Sequence, residues 1–172
     1  EYARAWVVRL LGAEYVVRHR GMLPGRRVKP LPDVLAKALF RLARDDKSVI
    51  VRSQLACTAK RLPAKVGIPI VAELLRPDED VSDPHVPVLL WWAIEAKAMS
   101  DSETVLELLE LPDAWRMPLV RQFIVERLAR RFAADGSREG YDACAALLTM
   151  GPGEKDADIV LRGMVKALSG RK

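Results

Sequence analysis

The sequence has little of the residue types that build metal centres and disulfide frameworks. Its 172 residues include two cysteines, two histidines and 6% aromatic residues. Cys57 and Cys144 are too few for a disulfide framework, and each lies in an apolar helical pattern, where a free thiol behaves as a small hydrophobic group. His19 and His85 have Gly or Pro close by in sequence, which is typical of solvated turns. We therefore expect neither a metal site nor a cofactor.

Long apolar runs and catalytic motifs are also missing. The longest apolar stretch, 86–94, contains Pro87 and is far shorter than the roughly 20 residues of a membrane-spanning helix. The sequence contains no Cys-x-x-Cys, His-Glu-x-x-His or Gly-x-Ser-x-Gly motif, and no phosphate-binding or dinucleotide-binding glycine pattern. These absences predict a chain that does not insert into a membrane and is not an enzyme.

The net charge of +5 is unevenly distributed along the chain. Residues 1–52 carry 12 basic and 5 acidic groups, residues 53–112 carry 5 and 10, and residues 113–172 carry 11 and 8. This change of sign argues against a uniform basic surface for nucleic acid. The acidic cluster Asp78, Glu79, Asp80 and Asp83 does not follow the alternate spacing of a calcium loop. We expect a solvated connection there, with an incidental cation site as the alternative.

Apolar residues recur at helical spacing along the chain, and no alternating strand pattern is convincing. Gly12 is expected to end the first helix, whereas Pro69, Pro87 and Pro118 are expected to open helices. Ser48 and Asp101 are expected to cap two more. A basic loop rich in Pro and Gly is expected over 18–32. The predicted helices cover about 1–11, 33–43, 48–62, 70–75, 88–98, 101–111, 118–134, 139–150 and 156–168.

Four of these helices share an apolar-Arg step near their start, which indicates an internal repeat. The arginines are Arg4, Arg52, Arg121 and Arg162, and Asp46 and Asp156 each precede an arginine by six residues. If Leu89 marks the equivalent place in a fifth helix, the spacings bracket the period of about 40 to 47 residues of two-helix repeats.

The pattern resembles the second helix of HEAT repeats. It predicts an all-α fold: a right-handed α-α superhelix of stacked helix pairs, HEAT/armadillo-like, with about four to five repeats in one domain, 1–172. An irregular helical bundle is the alternative. In a repeat stack, each arginine can reach an acidic group or turn of the adjoining layer.

Four longer strings, 2–12, 89–95, 118–130 and 163–171, carry a closer resemblance. They are similar to the helical middle region of large planctomycete and verrucomicrobial proteins described as membrane-bound dehydrogenases or haem-binding proteins. In that family a β-propeller precedes the HEAT-like helices and a c-type cytochrome domain follows. The resemblance implies that the chain is a fragment of a larger protein of the periplasm or cell envelope. The haem-attachment motif Cys-x-x-Cys-His is absent here, so haem ligation is not carried over.

These observations favour a non-catalytic scaffold that binds a protein partner or the flanking domains of its own chain. Nucleic-acid binding, as in HEAT-like DNA glycosylases, is the alternative, with Arg26 and Arg27 as further phosphate contacts. An enzyme of unrecognised type and a docking surface for the cytochrome domain are less favoured. The candidate interaction surface consists of Trp91, Trp92, Trp115, Arg127, Arg130 and Arg131.

Overall fold

The computed structural model describes residues 1–15, 30–111 and 113–169, and these residues form helices and turns without a β-strand. The all-α prediction is therefore confirmed for this part of the chain. The expected basic loop lies outside the described residues over 18–29, as do His19, Arg26 and Arg27. The α-helices are α1 Tyr2–Glu14, α2 Asp33–Asp45, α3 Val49–Arg61, α4 Ala64–Leu74, α5 Val86–Glu95, α6 Ser102–Glu110, α7 Val125–Asp135, α8 Arg138–Met150 and α9 Glu154–Leu168.

Shorter helical segments precede two of the odd-numbered helices. A 3₁₀ turn, Asp78–Ser82, comes before α5, and another, Ala114–Arg116, comes before a π-helical segment, Val120–Ile124, that continues directly into α7. A π-helical turn adds one residue to a helical turn, so the side chains after it are rotated relative to those before it.

The helices pack in two rows. The odd-numbered helices contact one another in the order α1, α3, α5, α7 and α9, and the even-numbered helices in the order α2, α4, α6 and α8. Contacts between the rows, such as α3 with α4 and α7 with α8, close the core between them. Successive even and odd helices thus lie together in one layer: α2 contacts α3, α4 contacts α5 and α8 contacts α9, whereas α6 contacts the Ala114–Arg116 turn that leads to α7.

Proline and glycine set several helix boundaries. Pro63 directly precedes α4, and Pro87 is the second residue of α5, where its missing N–H leaves no helical hydrogen bond unmade. Gly136 ends α7 with a φ of 75°, a conformation that lacks a steric penalty only in glycine. The hydroxyl of Ser137 then accepts a hydrogen bond from the Gly140 N–H and caps α8.

Two expected boundary residues lie inside helices instead. Pro69, expected to open a helix, lies within α4, which begins five residues earlier. Gly12, expected to end the first helix, is instead buried within α1. A Cβ at this position would lie 2.8 Å from the Thr58 side chain of α3, so a larger residue would not fit. Close approach of two helices, rather than a positive φ, therefore explains this glycine.

Two expected capping residues occupy the predicted positions without capping. Ser48 and Asp101 directly precede α3 and α6, but neither side chain accepts a hydrogen bond from the helix it precedes. The Ser48 hydroxyl donates instead to Glu1.

The apolar core runs between the two rows and leaves both ends of the odd row exposed. The largest fully buried side chains include Leu55, Leu90, Ile124, Phe132 and Leu147. Helix α1 buries Ala5, Val8 and Gly12 against α3, whereas its larger apolar residues Tyr2, Trp6, Val7 and Leu10 are exposed. At the other end, α9 exposes Leu161, Val165 and Leu168.

Candidate functional site

Three of the repeat arginines reach across to an aspartate of the next layer. The Arg4 Nε lies 2.7 Å from Asp46, which precedes α3. Arg52 of α3 contacts Asp80 before α5 at 2.6 Å, and Arg121 contacts Asp156 of α9 at 2.8 Å. These interlayer Arg–Asp pairs link the first, second and fourth junctions of the odd row, so the charged residues that the sequence singled out connect successive layers.

The Arg52–Asp80 pair is the most buried of the three. Both side chains are at most 5% exposed, and the guanidinium donates two parallel hydrogen bonds of 2.6 Å to the carboxylate. This bidentate geometry is the strong form of the interaction, and it raises the pKa of Arg52 above its ordinary value. The expectation that Asp78, Glu79, Asp80 and Asp83 form a solvated connection is therefore wrong for Asp80.

The Arg4–Asp46 pair is half open to solvent, because Arg4 is 52% exposed and Asp46 is 5% exposed. The hydrogen bond from Arg4 is the largest cause that lowers the pKa of Asp46, and a hydrogen bond from the Ser48 backbone N–H also lowers it. Burial acts in the opposite direction but is outweighed. The stabilisation that this pair provides is therefore lost when Asp46 becomes protonated in acid.

Arg162 does not form a pair of this kind. It is 61% exposed and lies 3.8 Å from Glu126 of the preceding odd helix, and Lys166 contacts the same carboxylate. Arg162 is thus directed back toward α7. Asp156, six residues before it, serves Arg121 instead. Arg162 therefore lies beside an acidic group of the adjoining odd helix, but that group is a glutamate of the preceding helix and not an aspartate of a following one.

The three tryptophans of the predicted interaction surface occupy different environments. Trp92 is 46% exposed, and the Lys60 Nζ lies 5.4 Å from its ring centroid. Trp91 is partly buried against the core. Trp115 is 6% exposed and donates its indole N–H to the Leu109 carbonyl at 3.1 Å. Trp115 is therefore a core residue, which corrects the expectation that it lies on the interaction surface.

The three arginines of that surface follow one another along α7. The Arg127 guanidinium lies 5.6 Å from the Phe123 ring centroid, and its Nη1 is buried without a hydrogen-bond partner. Arg130 is exposed, and Arg131 lies 3.7 Å from Asp135 one turn later. Trp92, by contrast, contacts Lys60 of α3. The predicted surface therefore divides between a residue beside α3 and residues of α7.

Lys97 is a buried cation that sequence reasoning missed. It follows α5, is 4% exposed, and donates a 2.9 Å hydrogen bond to the Lys60 carbonyl near the end of α3. Loss of hydration lowers the pKa of Lys97 to about 8, and the Asp101 charge opposes this only in part. A single lysine within an apolar stretch of helical pattern is the one signal that the sequence offers.

The two thiols are free, with Cys57 half-buried on α3 and Cys144 buried on α8. Burial raises the pKa of both, which disfavours the nucleophilic thiolate. Within residues 1–15, 30–111 and 113–169, no group of three or more His, Cys, Asp or Glu side chains could hold a metal ion. Over the same ranges, no helix has the length and apolar character needed to cross a membrane.

Grooves on the described surface are shallow and largely apolar. One lies between α1 and α2 and is lined by Val7, Leu11, Leu39 and Leu42 among others. Another lies between α2, α4 and α6, beside Phe40, Ile68 and Leu108. Neither places a nucleophile beside a general base. In comparison with known proteins, the chain matches no family model, no curated protein and no solved structure.

Proposed function

We propose that the chain is a non-catalytic helical-repeat scaffold of the HEAT/armadillo type, which binds a protein partner or joins flanking domains. The observation that carries the proposal is the two-row order of the helices, in which odd helices contact odd and even contact even. Stacked layers of this kind form a continuous core and present an extended surface along each row. The interlayer Arg–Asp pairs support the same interpretation, because they link one layer to the next.

The exposed ends of the odd row support a role in joining other structure. Val7 and Leu10 of α1 are each more than half exposed, and Val165 of α9 is 61% exposed. In the middle of the row, α3, α5 and α7 each have an odd helix on both sides, and these neighbours cover apolar side chains of the kind that α1 and α9 leave exposed. We infer that further helical structure covers both ends, which is what an interdomain module requires.

Site-specific photo-crosslinking in the native cells tests this function. A crosslinking residue at Leu10 or Trp92 samples the odd row, and the same residue at Lys65 of α4 provides an even-row control. We expect adducts from the odd-row positions at levels well above those from Lys65. An absence of adducts at all three positions would contradict the proposal, whereas equal adducts at all three would show that the partner contacts both rows.

The family resemblance refines the proposal to a spacer between a propeller-type dehydrogenase domain and a c-type cytochrome in the cell envelope. The reading frame on either side of residues 1–172 tests this directly. A propeller upstream and a Cys-x-x-Cys-His motif downstream are expected. Deletion of the helices tests whether the cytochrome docks on them: if both flanking domains stay folded and electron transfer is unchanged, docking is rejected.

A further inference from the structure

Three cations converge on one place in the outer surface of the odd row. Arg9 of α1 and Lys60 and Arg61 of α3 each act electrostatically on the Cys57 thiol, lowering its pKa against the larger, opposite influence of burial. Geometry places them together as well: α1 packs against α3, a Cβ at Gly12, one turn after Arg9, would lie 3.0 Å from the Arg61 Nη2, and Lys60 directly precedes Arg61. The Arg61 guanidinium also donates a 3.4 Å hydrogen bond to Thr58, which helps to orient it.

Two exposed tryptophans flank these cations. The Arg9 guanidinium lies 5.1 Å from the centroid of Trp6, and the Lys60 ammonium lies 5.4 Å from the centroid of Trp92. Trp6 is 57% exposed and Trp92 is 46% exposed. Together Trp6, Arg9, Lys60, Arg61 and Trp92 form one surface across α1, α3 and α5, which we call the basic–aromatic patch.

The positive charge of the patch is not neutralised by the described residues. None of its three cations forms an ion pair with one of their carboxylates. By contrast, the arginines Arg4, Arg52 and Arg121 are all paired with aspartates. Three unpaired cations beside two exposed indoles match the composition of a recognition surface, in which Trp and Arg are enriched.

We propose that the basic–aromatic patch binds an acidic peptide segment of the partner, with carboxylates on Arg9, Lys60 and Arg61 and apolar groups against the two indoles. This inference rests on the proposed function and specifies the chemistry of the partner. Neighbouring packed helices lie about 8–10 Å apart, close to one turn of a polyproline II segment, which has three residues per turn at about 3.1 Å each. An acidic side chain at every third position lies on one face of such a segment and can therefore meet cations of successive odd helices.

An acidic peptide fits the patch better than a nucleic acid does. A cation already lies over each indole ring, so one face of each ring is not available for base stacking. At the other end of the odd row, the α9 cations Arg162 and Lys166 are directed to Glu126 and so do not extend the patch along the row.

Fluorescence anisotropy with a labelled oligoglutamate peptide at low salt tests the inference. The patch variant is Arg9→Gln, Lys60→Gln and Arg61→Gln combined. The control is Arg116→Gln, Arg138→Gln and Lys155→Gln combined, which removes the same charge from exposed positions elsewhere. If each ion pair contributes about 0.5 kcal/mol, the three together contribute about 1.5 kcal/mol, and the patch variant should bind about tenfold more weakly than wild type, whereas the control should lose little.

Each other outcome overturns the inference. Equal loss in the two triple variants would mean that overall charge, and not the patch, attracts the peptide. Tighter binding of single-stranded DNA than of oligoglutamate, lost in the patch variant, would identify a nucleic-acid surface. Absence of oligoglutamate binding by the wild type also overturns it, while the crosslinking result decides the scaffold proposal separately. Circular dichroism of both variants verifies that they are folded.

Discussion

The junction between α3 and α5 and the junction between α5 and α7 hold neighbouring odd helices together by different means. A buried cation makes a polar contact at each end of the α3–α5 junction: Arg52 binds Asp80 at one end, and Lys97 binds the Lys60 carbonyl at the other. The second has no such pair, because α5 contains no arginine, and Trp115 stands where an aspartate would be expected.

The backbone geometry shows that Trp115 takes the place of an aspartate. Arg52 lies 3.4 Å from the carbonyl of Asp46, six residues before it, and Arg121 lies 3.5 Å from the carbonyl of Trp115, also six residues before it. The arginine and the aspartate are therefore missing together from the α5–α7 junction. One partner alone would leave a buried charge unpaired, whereas loss of both permits apolar packing.

The largest expected effect comes from breaking the Arg52–Asp80 pair. Arg52→Leu should lower the free energy of unfolding by about 3–5 kcal/mol, because the Asp80 carboxylate is then buried without its partner. The double variant Arg52→Leu/Asp80→Leu should recover most of this loss and so make the junction resemble α5–α7. Urea denaturation measures both. A double variant as unstable as the single one would contradict the comparison.

Lys97 should make the α3–α5 junction sensitive to alkaline pH. Its pKa is about 8 in the folded chain and 10.5 as the ordinary value, so between these values the unfolded chain binds more protons. Stability should therefore rise as pH increases from 8 to 10.5, by at most about 3 kcal/mol. Lys97→Met should abolish this rise, which urea denaturation at several pH values can measure. The same rise in the variant would exclude Lys97 as its source.

Trp115→Phe tests the packing that replaces the ion pair. The smaller ring leaves unfilled volume, and the Leu109 carbonyl loses its indole partner, so we expect a loss of about 2 kcal/mol. Trp92→Phe is the matched control on the exposed surface and should change stability by less than about 0.5 kcal/mol. Thermal unfolding of the two variants compares them. Equal effects would mean that burial of Trp115 does not stabilise this junction.

The smallest effect is expected at the half-exposed Arg4–Asp46 pair. Arg4→Gln should lower the free energy of unfolding only slightly at neutral pH, less than any of the other variants, because exposed pairs are weakened by solvent. The pKa of Asp46 is lowered below 3.8 in the folded chain, so the stabilisation is present above that value and is lost as pH falls through the folded pKa. Wild type and variant should therefore converge in acid. A difference that persists in strong acid would contradict this origin.

Sequence reasoning predicted the helices well and the surfaces poorly. The recurrence of apolar residues was enough to place most helices, because helical periodicity is a local property. The side of α1 that becomes buried could not be predicted, since Trp6, Val7 and Leu10 form a more apolar side than Ala5, Val8 and Gly12. Small residues are buried there because they permit close approach to Thr58. The sequence of α1 does not indicate which helix packs against it.

In the candidate site, too, some residues were predicted from the sequence and others were found only in the structure. Arg4, Arg52, Arg121 and Arg162 were identified from a repeated apolar-Arg step, but Asp80 was assigned to solvent. The patch residues Arg9, Lys60 and Arg61 carry no motif, and they belong together because α1 and α3 are packed side by side. A pairing between residues 28 positions apart, such as Arg52 and Asp80, follows from layer order rather than from local pattern.

The sequence by itself determined that the chain is helical, where most helices begin and end, and which arginines recur, because these depend on side-chain spacing and on proline and glycine. The tertiary structure alone decided which faces are covered, which charges are paired and which cations remain available at the surface. Those properties depend on distances between segments remote in sequence, and burial changes the energy of a charge far more than its sequence neighbours do.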